Sequence, residues 1–116
     1  MNMKTELLAD EKITRSGFAN LQRGAETVGG KLYLTNKRLV FESHALNVQT
    51  GTTIVSLEEI VKTAPCWTKF LNLIPIAPNS LAVTTADAEK RFVLFGRSAW
   101  KVAIDEEKER QNAYSG

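Results

Sequence analysis

Gly29-Gly30-Lys31-Leu32-Tyr33-Leu34-Thr35-Asn36-Lys37-Arg38-Leu39-Val40-Phe41 contains two short runs of alternating apolar and polar residues on either side of a polar tetrapeptide. Leu32 and Leu34 share one face of the first run, against Lys31, Tyr33 and Thr35. Leu39 and Phe41 do the same in the second run, against Arg38, Val40 and Glu42. Side chains alternate faces along a strand, so the spacing predicts a β-hairpin with one buried face and one partly wet face. Asn36 falls where the turn calls for φ near or above zero, which Asn accepts better than other non-glycine residues. A hairpin cannot cover its own apolar face, so the flanking chain must supply further strands.

Working outward, strand character starts near Ile13 and continues through Phe18 to about Leu21, with a turn at Arg23-Gly24-Ala25-Glu26. Residues 1–11 read as a loose lead-in. After a polar loop from His44 to Gly51, Thr52 to Ser56 is β-branched enough for a strand. Leu57-Glu58-Glu59 reads as a tight bend, Ile60 to Ala64 as a strand, and Leu81 to Thr85 as another. Following a turn at Asp87-Ala88-Glu89, Arg91-Phe92-Val93-Leu94-Phe95 is apolar on both faces, so its second side needs a cover. The expected cover is a helix with Ser98 as N-cap, on which Trp100, Ala103 and Ile104 share one face. Seven short strands and one helix point to a twisted antiparallel sheet, curled into a barrel or packed as two sheets, with the helix closing one opening.

The chain of 116 residues is long enough for one domain with an ordinary core, expected over about residues 8–110 with flexible ends at 1–7 and 112–116. Its hydrophobic content of 43% and charged content of 24% are those of a water-facing globular domain. A single cysteine, Cys66, excludes an intrachain disulfide. No apolar run reaches the ~18–20 residues of a membrane span. A cytoplasmic location is expected, with peripheral attachment to the inner face of a membrane as an extension. Net charge is +2, but from Lys12 to Arg38 six basic residues stand against the single acid Glu26, a local excess of +5. Such an excess favours an anionic partner.

Catalysis is poorly supplied, and no enzyme, metal site or cofactor is expected. His44 is the only histidine and Cys66 the only cysteine. Ser43 and His44 are adjacent, so on extended chain they point apart and cannot act as nucleophile and base. Glu58-Glu59 is explained as well by a bend as by acid–base chemistry. Gly29-Gly30 precedes a strand and lacks the helix terminus that phosphate loops use. Nucleic acid is the weaker partner class, because Lys31, Tyr33 and Arg38 offer one aromatic among two bases.

Leu32-Tyr33-Leu34-Thr35-Asn36-Lys37-Arg38-Leu39-Val40-Phe41, the Leu57-Glu58-Glu59-Ile60 bend, Pro78-Asn79-Ser80-Leu81 before a Thr-ended strand, Arg91 to Phe95, and Trp100 four residues ahead of Ile104 together resemble the GRAM domain family. The resemblance spans about Leu8 to Ile104 and places the chain in the pleckstrin-homology-like superfold. It implies a seven-stranded, strongly bent antiparallel β-barrel or sandwich capped by a C-terminal helix. It also implies a binding module of membrane-associated proteins, some of which bind phosphoinositides. The chain departs from the family in lacking Gly at Asp87-Ala88-Glu89. Its first turn carries only Arg23 where phosphoinositide-binding relatives cluster several bases.

Trp67 to Pro78 is the oddity, because a connection between strands is expected to be polar and this one is mostly apolar. Trp67, Phe70, Leu71 and Ile74 are spaced as on one face of a helical turn ending before Pro75. A hydrophobic loop folded over a barrel mouth is the other reading. The leading expectation is therefore a non-catalytic adaptor that binds a lipid surface or anionic headgroup. Arg15, Arg23, Lys31, Lys37, Arg38 and Lys69 are the candidate anion-facing residues. Trp67, Phe70, Leu71, Leu73, Ile74 and Ile76 are the candidates for insertion or for an interface. The alternative is protein interaction or self-association through the same 67–76 segment.

Overall fold

A computed structural model describes residues 3–23, 26–44, 52–70 and 74–115. The alternation in the sequence becomes seven strands: β1 (Ile13–Arg23), β2 (Glu26–Thr35), β3 (Arg38–Ser43), β4 (Thr52–Ser56), β5 (Ile60–Phe70), β6 (Ile74–Thr85) and β7 (Glu89–Leu94). A 3-10 turn at Leu57–Glu59 links β4 to β5, and the helix α1 (Arg97–Ser115) follows β7. The strands form one antiparallel sheet in the order β4-β3-β2-β1-β7-β6-β5. No ladder joins β4 to β5 among the described residues, so the sheet is bent but not closed, and the expected barrel is an open one.

Leu32 and Leu34 of β2, Leu39 and Phe41 of β3, Leu21 of β1, and Phe92 and Leu94 of β7 meet in one core. The Phe41 and Phe92 rings lie 5.9 Å apart in a tilted pair. Trp100 and Ile104 enter this core from α1, which lies against the 3-10 turn, β5 and β6. The first helical hydrogen bond runs from the Trp100 amide to the Gly96 carbonyl at 2.9 Å. Gly96, with φ of +67°, therefore occupies the N-cap expected of Ser98. Because α1 packs beside β5 and β6 rather than over the second face of β7, Val93 is half-buried and Phe95, just past the strand, is 96% exposed. The helix does not provide the cover expected there.

Two further expectations are revised. The outer face of the central hairpin is mostly covered: Tyr33, Val40, Thr35 and Arg38 are buried, while Lys31 and Glu42 stay half-exposed. Residues 4–12 lie along it as a strap, hydrogen-bonded to Glu42, Arg38 and Asn36 in turn. Val40 sits on that same face between Glu42 and Arg38, beneath the strap. The positive φ expected of Asn36 belongs instead to Asp10, at 61°. Thr35 holds the β2–β3 turn, its hydroxyl accepting the Lys37 and Arg38 amides at 3.0 Å each.

The helical turn expected around Trp67 is strand. Trp67 and Phe70 lie on β5 and Ile74 and Ile76 on β6, paired as Thr68 with Ala77 and Phe70 with Ile74. Leu71 and Leu73 lie outside the described residues. A long ladder with β6 outweighs a four-residue periodicity, and the register shifts near Cys66 and Thr68, opposite the segment bearing Pro75 and Pro78. Proline cannot donate to a ladder and is accommodated at such irregularities.

Candidate functional site

The candidate cations do not form one patch. Arg23 ends β1 and Lys37 follows β2, so they stand at opposite ends of a ten-residue strand. At ~3.3 Å per residue that separation is about 30 Å. The Arg15 guanidinium lies 5.1 Å over the Trp100 ring, a contact that anchors the helix start. Lys69 sits near the end of β5. Arg38 is not available to an external anion: its Nε donates to Glu11 Oε2 at 2.8 Å and its Nη2 to Glu11 Oε1 at 3.0 Å. The same Nη2 donates to the Glu6 carbonyl at 2.8 Å. A guanidinium needs such partners when it leaves water, and the strap supplies them.

The strap acids are tuned by the same contacts. Burial pushes the Glu11 pKa up, but the Arg38 hydrogen bond, the Leu8 amide, the Thr35 hydroxyl and the Arg38 charge together hold it below the usual carboxylate value. For Glu42, burial is again outweighed, here by the Thr5 hydroxyl and the Lys4 and Thr5 amides. Burial and the neighbouring Glu42 charge push the Tyr33 phenol up.

What remains open on the outer face is a shallow groove beside the strap, between β1 and the end of β7. Alternation on β1 turns Ala19 and Leu21 inward and Phe18 and Asn20 outward. Phe18 is 65% exposed and stands with Phe95 along a groove of about 260 Å3 whose wall includes Asn20, Gly30, Val93 and His44. The Lys31 ammonium lies 5.8 Å from the Phe18 ring centroid and 5.5 Å from that of Tyr33. Two exposed aromatics with an ammonium over one of them make a surface that is apolar at its centre and cationic beside it. The sequence signal was available: Phe18 is out of step with Leu21, and Phe95 is one beyond the inward Phe92 and Leu94.

No group of three or more potential metal-binding side chains occurs among the described residues. Ser56 donates its amide to Glu59 Oε1 at 3.1 Å, which gives Glu59 a structural role at the bend. No helix among the described residues is long and apolar enough to cross a membrane.

The family model described as GRAM domain matches residues 1–104 of this sequence. The chain belongs to the GRAM domain family. Curated proteins gave no match. Among solved structures, this GRAM domain is similar to the C-terminal domain of an unknown protein from Leishmania infantum, with a TM-score of 0.69 and 17% identity over 86% of each chain. It is also similar to the Vps36 N-terminal PH domain, with a TM-score of 0.68, 16% identity, and coverage of 93% of this chain and 86% of that one. A third relative in fold is the N-terminal PH domain of human ARAP2, with a TM-score of 0.62, 11% identity, and coverage of 94% and 88%. At these identities the likeness is one of fold, and it identifies the GRAM domain as PH-like. GRAM and PH-like domains are commonly non-catalytic modules that bind lipids or proteins.

Proposed function

We propose that this GRAM domain is a non-catalytic adaptor that docks on an anionic lipid surface through the outer-face groove of Phe18, Phe95 and Lys31. The observation that carries the reading is the exposure of both phenylalanines along one groove, with the Lys31 ammonium over Phe18. Aromatic rings favour the membrane–water boundary, and a neighbouring cation adds attraction to anionic headgroups. Burying two such rings and one lysine is worth about 4–7 kcal/mol before association costs, which suits reversible attachment. The apolar segment at the tip of the β5–β6 hairpin, with Lys69 beside it, is the second contact proposed.

Flotation with phosphatidylcholine vesicles, with and without phosphatidylserine, at low and physiological salt tests this function. Binding is expected to need the anionic lipid, to weaken with salt, and to be lost in Phe18→Ser/Phe95→Ser. Phe70→Asp reports separately on the hairpin tip. Equal binding by the wild type and the double variant would remove the groove from the reading. The alternative is docking to a protein or to a second copy through the apolar 67–76 segment, whose composition favours a protein partner as much as a membrane. Light scattering after size exclusion separates the two, because self-association makes mass rise with concentration in the absence of lipid.

A further inference from the structure

His44 is the only histidine of the chain, and it stands in the wall of the Phe18 groove. Docking there, as proposed above, draws on one permanent cation, Lys31, and leaves the imidazole without a role. We propose that His44 makes this docking proton-dependent. Its imidazolium becomes the second cation of the groove, so that mild acid tightens the hold on an anionic bilayer. The inference rests on the docking reading and adds its regulation.

Position comes first. Asn20 of β1 is paired with Gly29 of β2, and the His44 amide, just past β3, donates to the Gly29 carbonyl at 2.9 Å. Gly29 sets no side chain between Asn20 and His44, and a Cβ there would lie 3.8 Å from His44 Cδ2. The imidazole is exposed, with its ring 6.0 Å from that of Phe18 in a tilted pair. Phe18 thus has two basic neighbours, His44 and the Lys31 ammonium at 5.8 Å.

The surrounding charges leave an imidazolium unneutralised. Among the described residues, no carboxylate lines the groove. The acid on β3 is Glu42, two residues back on the same face, and its carboxylate is committed to the strap. It accepts the Thr5 hydroxyl at 2.6 Å and the Lys4 and Thr5 amides, with the Lys4 charge beside it. From β2 the charge at the groove is Lys31, which pairs in register with Phe18. Phe18 and Asn20 of β1 and Asn79 of β6 carry none. On β7, Arg91 shares the face of Val93 and donates to Glu89 at 2.7 Å. Past Phe95, Arg97 donates to the Cys66 carbonyl at 2.8 Å.

Imidazole is the side chain whose charge changes between about pH 5 and 8. An anionic surface favours the imidazolium, and by linkage the imidazolium favours the surface equally. One more cation at such a surface is worth ~1 kcal/mol, or about fivefold in affinity.

The test measures partition of the full chain onto phosphatidylcholine vesicles containing phosphatidylglycerol, whose phosphodiester stays charged throughout, at about pH 7.5 and about pH 5.5. The wild type is expected to bind about fivefold more tightly at the lower pH. His44→Gln is uncharged at both pH values and His44→Lys is charged at both, so for each the ratio should fall to about one. Glu11 and Glu42 are held below the ordinary carboxylate range, so the strap stays fastened across this window. A second readout is proton uptake on mixing with vesicles in weak buffer, expected for the wild type and absent from His44→Gln. A wild type that binds with no acid enhancement, or an enhancement that His44→Gln keeps, overturns the inference and leaves the docking reading standing. Absence of wild-type binding at both pH values removes the docking reading, and this inference with it.

Discussion

Arg38 and Glu11 form a two-pronged ion pair across 27 residues of sequence, at 2.8 and 3.0 Å, with the Glu11 side chain fully withdrawn from solvent. The pair fastens the strap to β3. It also converts one of the basic residues of the Lys12–Arg38 stretch from a surface charge into a structural one.

Removing one member should therefore cost far more than removing a surface pair. Glu11→Ala leaves a guanidinium in low dielectric without its carboxylate, and about 3–5 kcal/mol of stability is expected to go. Chemical denaturation measures it. Glu11→Leu/Arg38→Met should recover most of the loss, because the desolvation of both charges disappears together.

Acid should loosen the same contact. Glu11 and Glu42 are both held below the ordinary carboxylate range in the folded state. Their contribution is complete above the unfolded value and is lost as pH falls through the folded one, since the unfolded chain then binds more protons. Thermal melts should hold steady near neutrality and decline below about pH 4.5. Glu11→Ala and Glu42→Gln should each flatten that decline.

Glu42 secures the other end of the strap, accepting the Thr5 amide at 2.7 Å, the Thr5 hydroxyl at 2.6 Å and the Lys4 amide at 3.0 Å. Glu42→Ala should cost about 1–3 kcal/mol, since hydrogen bonds to charged groups exceed neutral ones. Hydrogen exchange should accelerate first at Lys4 and Thr5, with the β1–β7 amides unchanged.

Two glycines on neighbouring strands should respond in opposite ways. A Cβ at Gly30 would stand 2.3 Å from the Glu42 carbonyl oxygen and 2.7 Å from Phe41 Cζ, and neither can retreat without opening the sheet. Gly30→Ala should cost about 3 kcal/mol. A Cβ at Gly17 would meet Trp100 Cζ2 at 3.6 Å, an ordinary contact, so Gly17→Ala should stay within about 1 kcal/mol of wild type. Urea midpoints for the two variants make the comparison.

The core side of the fold was legible because Leu32, Leu34, Leu39 and Phe41 alternate strictly, and period two reports which face is buried. What covers the other face was not, since Glu11 reaches Arg38 through a tertiary contact that leaves no local pattern. The Trp67–Ile74 spacing fits a helix, and only the partner strand β6 decides against it. The groove was hidden for a related reason. Alternation marks Phe18 as outward, but Phe95 stays bare only because α1 turns toward β5 and β6, which sequence alone does not disclose.

The strand order sets a timetable for folding. β1 sits at the middle of the sheet, next to β2 on one side and β7 on the other, with Gln22 opposite Arg91 and Ala19 opposite Leu94. As the chain leaves the ribosome, β1 to β4 can assemble as a local meander, but the second side of β1 must wait for β7, which ends 94 − 23 = 71 residues beyond the end of β1. Closing so long a loop is slow, and in the interval the most central strand of the finished domain is an exposed edge. The nascent domain is thus at its stickiest just before it is complete, and β7, which ends three residues before the helix begins, is the segment that ends that exposure.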